Sequence, residues 1–132
     1  SKAATYLTLS QWLLQKNIEF VWCRLFYLYG EDESDERLVP YIRSKLENNQ
    51  VAELTSGKQI RDYMDVSEAG NVIAGMAFNN LLGCINVCSG IPITVRELAE
   101  QIADEYGKRD LLQFGVRPDN LVDPSCVVGI KK

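Results

Sequence analysis

The residues of this sequence that could do chemistry lie in two short segments, each beside an element boundary. Arg24 to Gly30, RLFYLYG, follows an apolar run and ends in a glycine. Gly57 to Val66, GKQIRDYMDV, carries Arg61 and Asp62 just before a candidate helix. The net charge is −4, but a few focused arginines can hold phosphate groups in an acidic protein, because local geometry outweighs net charge. The two segments are therefore candidates for a phosphorylated ligand.

Thiol and metal chemistry find less support in the sequence. There are four cysteines, Cys23, Cys84, Cys88 and Cys126, and no histidine. Zinc sites use Cys-x-x-Cys pairs or histidines, and Cys84 and Cys88 are separated by one residue too many for such a pair. We therefore expect no metal, and buried free thiols in a reducing cytosol. The sequence also contains no nucleophile elbow.

Alternating helix and strand patterns must position the two segments. Apolar residues at helical spacing predict helices over about 2–16, 36–48, 67–81 and 95–106. Short apolar runs predict strands over about 19–25, 51–55, 60–64, 84–88 and 111–114. This alternation predicts an α/β protein in which helices pack on a mixed sheet.

Local signals predict where these helices begin and which face they bury. Ser34 or Asp35 is expected to cap the second helix, with carboxylates in its first turn. Thr94 and Glu97 form a capping box for the fourth helix, and Gly107 is a natural stop. The spacing of apolar residues predicts a buried stripe on the third helix: Ala69, Val72, Ile73, Met76 and Ala77.

Length and composition describe an ordinary globular domain. The chain has 132 residues, 46% of them hydrophobic and 24% charged, which is enough for one domain with its own core. No apolar run approaches the roughly 18 residues of a membrane span. The acidic balance does not suggest a nucleic-acid partner. We therefore expect no membrane and no nucleic acid among the partners.

The two segments together resemble the C-terminal half of the extended short-chain dehydrogenase/reductase family, the NAD-dependent epimerase/dehydratases that rework nucleotide sugars. RLFYLYG resembles the family's Arg-x-x-Asn-x-Tyr-Gly, and GKQIRD resembles its Gly-x-x-x-Arg-Asp. Ser1 to Ala4, SKAA, resembles the end of the Tyr-x-x-x-Lys motif, and Arg117 to Asp119 resembles a late Arg-Pro-x-Asp turn. The resemblance covers essentially the whole chain, and the order and spacing of these motifs carry it.

The resemblance implies a fold and a domain boundary. We expect the C-terminal part of a Rossmann-like fold, including the small substrate-binding subdomain. Residues 1–132 would form this single portion of a larger epimerase/dehydratase, and the dinucleotide-binding half would be absent. The sequence agrees, because no Gly-x-Gly-x-x-Gly follows a strand.

The resemblance also implies roles for five residues. Lys2 would bind the nicotinamide ribose and lower the pKa of the catalytic tyrosine, since a nearby cation favours phenolate. Arg61 would hold the diphosphate with its planar fork, and Arg117 would be a second phosphate contact. Tyr27 stands where the family has a substrate-contacting asparagine, and Leu54 would line the base pocket. The plainer alternatives are an Arg61–Asp62 surface pair, a strand-end aromatic at Tyr27, a core leucine at Leu54 and a solvated Lys2.

Two functions of different classes follow from these expectations. The first is the nucleotide-sugar-binding portion of a cytoplasmic, homodimeric NAD(P)-dependent epimerase, dehydratase or reductase, which transfers hydride at a sugar hydroxyl or ketone. The parent protein would bind NAD or NADP and a nucleotide-diphosphate sugar, whereas these residues alone would bind no cofactor and be inactive. The alternative is a non-catalytic module that binds a nucleotide or a partner on the same fold.

Overall fold

The computed structural model describes residues 1–131. Their helices are α1, Lys2–Gln15; α2, Leu38–Glu47; α3, Val66–Phe78; and α4, Val95–Tyr106. Their strands are β1, Val21–Leu25; β2, Tyr27–Tyr29; β3, Ala52–Glu53; β4, Ile60–Arg61; β5, Tyr63–Asp65; β6, Gly83–Val87; β7, Ile93–Thr94; and β8, Leu112–Gln113. A short 3₁₀ helix, Arg109–Leu111, immediately precedes β8.

The strands pair mostly in parallel, with helices in the connections between them. β1 pairs with β6, β2 with β5, and β3 with β8 in parallel, whereas β4 and β7 are antiparallel. Parallel partners need a crossover connection. The helix α2 lies in the connection from β2 to its partner β5, and α2 and α3 both lie in the connection from β1 to its partner β6. The predicted mixed sheet with helices is confirmed. In such sheets ligands bind outside the carboxyl ends of the strands. In this chain the carboxyl end of β1 is the point at which it leads into β2.

Two apolar clusters support this framework. The first lies between α2 and α4, and its fully buried residues are Ile42, Leu46, Ala99 and Ala103. The second joins α3 to the strands through Met64, Ala69, Met76 and Val87. The first cluster is continuous with Leu54 and Phe114, so it anchors the strand and loop that carry the late arginine motif.

The helix α2 begins later than the sequence predicts. Its N-cap is Arg37, which makes no side-chain cap bond, and its first turn contains no acidic residue. The predicted caps at Ser34 and Asp35 are therefore wrong. A start near residue 36 would put Pro40 in the helix interior, where its missing N–H breaks the hydrogen-bond ladder. Ser34 instead closes a separate turn, since its carbonyl accepts from the backbone N–H of Arg37.

The helix α4 begins and ends as the sequence predicts. The Thr94 hydroxyl accepts from the Glu97 N–H at 3.0 Å, and the Glu97 carboxylate accepts from the Thr94 N–H at 2.9 Å. Gly107 closes the helix with φ of 63°, a left-handed conformation that glycine adopts without strain. The capping box also fixes the end of β7, because Thr94 belongs to both elements.

We expect Thr94→Ala to lower the free energy of unfolding by about 1 kcal/mol, because it leaves one N–H of the first turn without its acceptor. Denaturant unfolding of the chain measures the change. Thr94→Ser keeps a hydroxyl at the cap and should retain most of the stability. Equal losses for the two variants would show that the methyl group, rather than the cap, matters.

Several other expectations need correction. The predicted strand 60–64 is two strands, β4 and β5, interrupted at Asp62. The predicted stripe of α3 is wrong in part: Ala69 and Met76 are buried, but Val72 and Ile73 are 37% and 39% exposed and Ala77 is exposed. This helix is apolar on several sides, so periodicity could not select one face.

The cysteine prediction is also wrong in part. All four thiols are free, but Cys88 alone is buried, Cys23 and Cys84 are half-buried, and Cys126 is exposed. Cys126 lies in the segment after β8, where a single β-bridge joins it to Ile60. Its side chain is at the surface. Within residues 1–131 no helix has the length and apolarity to cross a bilayer.

Candidate functional site

Asp62, between β4 and β5, is the central polar contact of the candidate site. Its carboxylate is fully buried and accepts four hydrogen bonds. One oxygen accepts from the N–H and the hydroxyl of Ser89, at 2.8 and 2.6 Å. The other accepts from the N–H groups of Gly90 and Gly129, at 2.9 and 3.1 Å. The carboxylate therefore ties the strand junction to the loop after β6 and to the C-terminal segment.

The ionisation of Asp62 follows from these contacts. Burial alone would raise the pKa of the carboxyl group, but the hydrogen bonds from Ser89, Gly129 and Gly90 outweigh it and lower the pKa. The group is therefore a carboxylate at neutral pH, and it holds the backbone N–H groups of Ser89, Gly90 and Gly129. It does not act as an ion-pair partner of Arg61.

Gly129 occupies a position that admits no side chain. A Cβ there would lie 2.6 Å from the Cβ of Cys88 and 3.2 Å from the ring of Phe26. The C-terminal segment therefore lies directly on the buried Cys88 thiol. Burial raises the pKa of Cys88, and the nearby charge of Asp62 raises it further.

Arg61 is buried and has no carboxylate partner. It is 3% exposed, and its Nη1 donates to the carbonyl of Ile60 at 2.8 Å. Its Cζ lies 5.4 Å from the centre of the Tyr27 ring, in a cation–π contact. The alternative of an Arg61–Asp62 surface pair is wrong, because Arg61 is neither at the surface nor paired.

One tyrosine contacts the Arg61 guanidinium, and a second tyrosine packs on the first. β2 pairs with β5 so that Tyr27 lies opposite Tyr63, and their ring centres are 5.6 Å apart. Burial raises the pKa of Tyr63, and the charge of Arg61 acts in the opposite direction. Tyr27 is half-buried at the start of β2. Its ring contacts both Tyr63 on the neighbouring strand and the guanidinium of Arg61.

The structure brings Arg117 next to Leu54, which belongs to the first apolar cluster. The Leu54 carbonyl accepts from the N–H of Arg117 at 3.1 Å. Asp119 accepts from the N–H and hydroxyl of Ser56, both at 2.9 Å. The late arginine turn is thereby fastened to the glycine turn that leads into Arg61. Leu54 itself is 4% exposed and belongs to the core.

The guanidinium of Arg117 is exposed and contacts one tyrosine. Its Nη2 donates to the hydroxyl of Tyr41 at 3.1 Å, and its Cζ lies 4.7 Å from the centre of the same ring. Sequence reasoning missed Tyr41, because no motif singles it out on α2. Tyr41 packs against the first apolar cluster and makes a polar contact with Arg117 as well.

The ion pairs distinguish the candidate arginines from the others. Within residues 1–131, the ion pairs use Arg37, Arg43, Arg96 and Arg109. Arg24, Arg61 and Arg117, the arginines of the three motif segments, take part in none of them. Their positive charges are therefore not neutralised within this part of the chain, and an anionic ligand can interact with them.

Lys2 lies apart from these arginines, in the first turn of α1. Its side chain is exposed and lines a cavity of about 600 Å³ between α1 and β1. Tyr6, Trp22 and Arg24 line the same cavity. Leu25, the last residue of β1, lines this cavity too, so Lys2 lies near the carboxyl end of β1. No contact joins Lys2 to Arg61 or Arg117 in the described part of the chain.

Comparisons with known proteins agree with this arrangement. The family model of the NAD dependent epimerase/dehydratase family matches residues 1–83. The chain is 25% identical over 111 residues to dTDP-6-deoxy-L-talose 4-dehydrogenase (NAD(+)) of Aggregatibacter actinomycetemcomitans, covering 83% of this chain and 41% of the relative. It is 28% identical over 110 residues to CDP-abequose synthase of Salmonella muenchen, covering 79% and 38%.

A solved structure shows the same fold. The UDP-N-acetylglucosamine 4-epimerase of Methanobrevibacter ruminantium, in complex with UDP-N-acetylmuramic acid, superposes with a TM-score of 0.89 at 22% identity, covering 98% of this chain and 43% of that one. The chain spans about two fifths of the length of the curated relatives it matches. The predicted Rossmann-like α/β fold is confirmed, and the chain belongs to the NAD dependent epimerase/dehydratase family.

Proposed function

We propose that residues 1–132 are the C-terminal, substrate-binding portion of a longer NAD(P)-dependent enzyme that acts on a nucleotide-diphosphate sugar. The observation that carries the proposal is the pair of arginines held by tyrosines without a carboxylate. Arg61 rests on Tyr27 and Arg117 on Tyr41, and neither takes part in an ion pair of the described chain. A diphosphate supplies the missing negative charge, and each fork matches a pair of its oxygens.

The remaining site residues have distinct proposed roles. Leu54, directly after β3, lines the base pocket, and its carbonyl also holds the backbone N–H of Arg117. Tyr27 stands in place of the family's asparagine and presents a ring and one hydroxyl to the sugar. Lys2 binds the nicotinamide ribose and favours the phenolate of a tyrosine in the longer protein. Its place at the carboxyl end of β1, beside a cavity, fits this role, and the cofactor supplies hydride transfer when it is bound.

The names of the relatives support nucleotide sugars as the substrate class. One is a dTDP-sugar dehydrogenase and another a CDP-sugar synthase by name. We propose a nucleotide sugar for the longer protein, without a choice among the bases, and a cytoplasmic homodimer. The four free thiols support a reducing compartment.

A thermal-shift panel of CDP-, UDP-, GDP- and dTDP-sugars on the longer protein with NAD tests the proposal. A ligand that binds the native state raises the apparent melting temperature by mass action, so the panel ranks the nucleotide sugars by affinity. We expect one base to be preferred. No shift with any of them, in a protein that binds NAD, would contradict a nucleotide-sugar enzyme and favour the non-catalytic module.

The 132-residue chain by itself should bind no NAD and show no epimerase or dehydrogenase turnover. The glycine-rich loop that receives the cofactor's pyrophosphate is not part of this sequence. Isothermal titration of the folded chain with NAD measures this, and circular dichroism confirms that the sample is folded. Micromolar binding of NAD to the chain would contradict the proposed division between the cofactor and substrate portions.

A further inference from the structure

We infer that Tyr41 is a positioning residue for Arg117, and that it thereby sets the affinity for the diphosphate. This inference rests on the proposed function. The Tyr41 hydroxyl accepts from Nη2 of Arg117 at 3.1 Å and from the N–H of Glu53 at 3.2 Å. The hydroxyl therefore connects the guanidinium directly to the backbone of β3.

The arrangement restrains an arginine that would otherwise be free to move. Arg117 is exposed, and holding a long, solvated side chain in one rotamer costs conformational entropy. Its backbone N–H is fixed on the carbonyl of Leu54, while its guanidinium is fixed through Tyr41 on the preceding residue, Glu53. Both ends of Arg117 are thus attached to two consecutive residues, Glu53 at the end of β3 and Leu54 directly after it, and a ligand would meet a pre-organised fork.

A second cation on the same ring points to an anionic ligand at this place. Lys45 Nζ lies 5.8 Å from the centre of the Tyr41 ring, and Arg117 Cζ lies 4.7 Å from it. Neither cation takes part in an ion pair within residues 1–131. The Tyr41 ring therefore contacts two cations whose charges are not neutralised within these residues, and a phosphate at Arg117 would supply negative charge there.

Tyrosine-to-phenylalanine variants of the longer protein separate this role from a purely structural one. Tyr41→Phe keeps the ring and removes the hydroxyl. Tyr106→Phe is the matched control, because Tyr106 packs on the same apolar cluster and its hydroxyl donates to Glu47 at 2.9 Å instead of contacting Arg117. We expect Tyr41→Phe to weaken binding of the preferred nucleoside diphosphate by about fivefold to tenfold, and Tyr106→Phe to leave it unchanged.

The dependence on Arg117 is tested with a double variant. In an Arg117→Ala background, Tyr41→Phe should cause no further loss of diphosphate affinity, since the hydroxyl then has no guanidinium to hold. With substrate, Tyr41→Phe should raise KM and leave kcat near its original value, because the contact involves no reacting atom. The unphosphorylated nucleoside should bind both proteins equally.

The outcomes keep the two levels of the proposal apart. If Arg117→Ala weakens diphosphate binding and Tyr41→Phe does not, the positioning role is overturned and the proposed function stands. Equal losses from Tyr41→Phe with and without Arg117 would mean a general structural role, which also overturns it. If CDP, UDP, GDP and dTDP all fail to bind the unaltered protein, the proposed function falls and the inference falls with it.

Discussion

Replacing Arg61 by alanine in the longer protein should weaken nucleotide-sugar binding by roughly one to two orders of magnitude. Charge-assisted hydrogen bonds are worth about 1.5–3 kcal/mol each. Arg61 is 3% exposed and its guanidinium rests on Tyr27. No other cation can therefore occupy this buried position when Arg61 is removed. Titration with the preferred nucleotide sugar measures the loss. NAD binding should remain nearly unchanged, because the cofactor lies on the other half of the proposed enzyme.

Two matched variants make this result specific. Lys58 is exposed in the same segment, and Lys58→Ala removes one positive charge without a fork, so it should change the affinity little. Arg61→Lys should recover only part of the loss, because charge returns without bidentate geometry. Arg117→Ala should behave like Arg61→Ala, with a smaller effect. Equal losses for Lys58→Ala and Arg61→Ala would mean a diffuse electrostatic effect.

Removing the charge of Asp62 should have the largest effect on stability. We expect Asp62→Asn to lower the free energy of unfolding by about 3 kcal/mol, because the amide cannot accept all four of the hydrogen bonds present. Its NH₂ group would face two N–H donors, those of Gly90 and Gly129, or the two groups of Ser89. Denaturant unfolding measures the loss.

The pH dependence of the same variant checks the cause. The folded-state pKa of Asp62 is lowered, so its contribution to stability is present above the unfolded pKa of about 3.9 and is lost as the pH falls through the folded pKa. The stability difference between the unaltered chain and Asp62→Asn should therefore be constant near neutral pH and shrink below about pH 4. Asp110→Asn, at an exposed position, should change stability little. A difference that persists in acid would mean that charge is not the cause.

Sequence reasoning succeeded where the determinants of structure are local. The beginning and end of α4 follow from Thr94, Glu97 and Gly107, residues that lie within or beside the helix. It failed at the start of α2, where Pro40 shifts the first turn away from the acidic residues. A proline constrains the residues before it in the helix, and this constraint outweighed the capping preference of Ser34 and Asp35.

The candidate site was predictable as a set of residues but not as an arrangement. Motif resemblance selected Arg61 and Tyr27, yet their contact depends on the parallel pairing of β2 with β5. Such pairing joins residues far apart in sequence across a long crossover connection, so the motifs alone do not show which residues lie opposite each other. Tyr41 carried no motif at all, since its role follows from the packing of α2 beside β3 and the late arginine turn.

The close packing of Gly129 against Cys88 has a consequence for chemical labelling of the cysteines. Cys88 is 2% exposed, and its thiol lies beneath a backbone segment that Asp62 also holds. An alkylating reagent can reach this sulfur only after the C-terminal segment has lifted, whereas the Cys126 thiol is open to attack at all times. The alkylation rate of Cys88 relative to that of Cys126 therefore reports how often the C-terminal segment detaches by local opening.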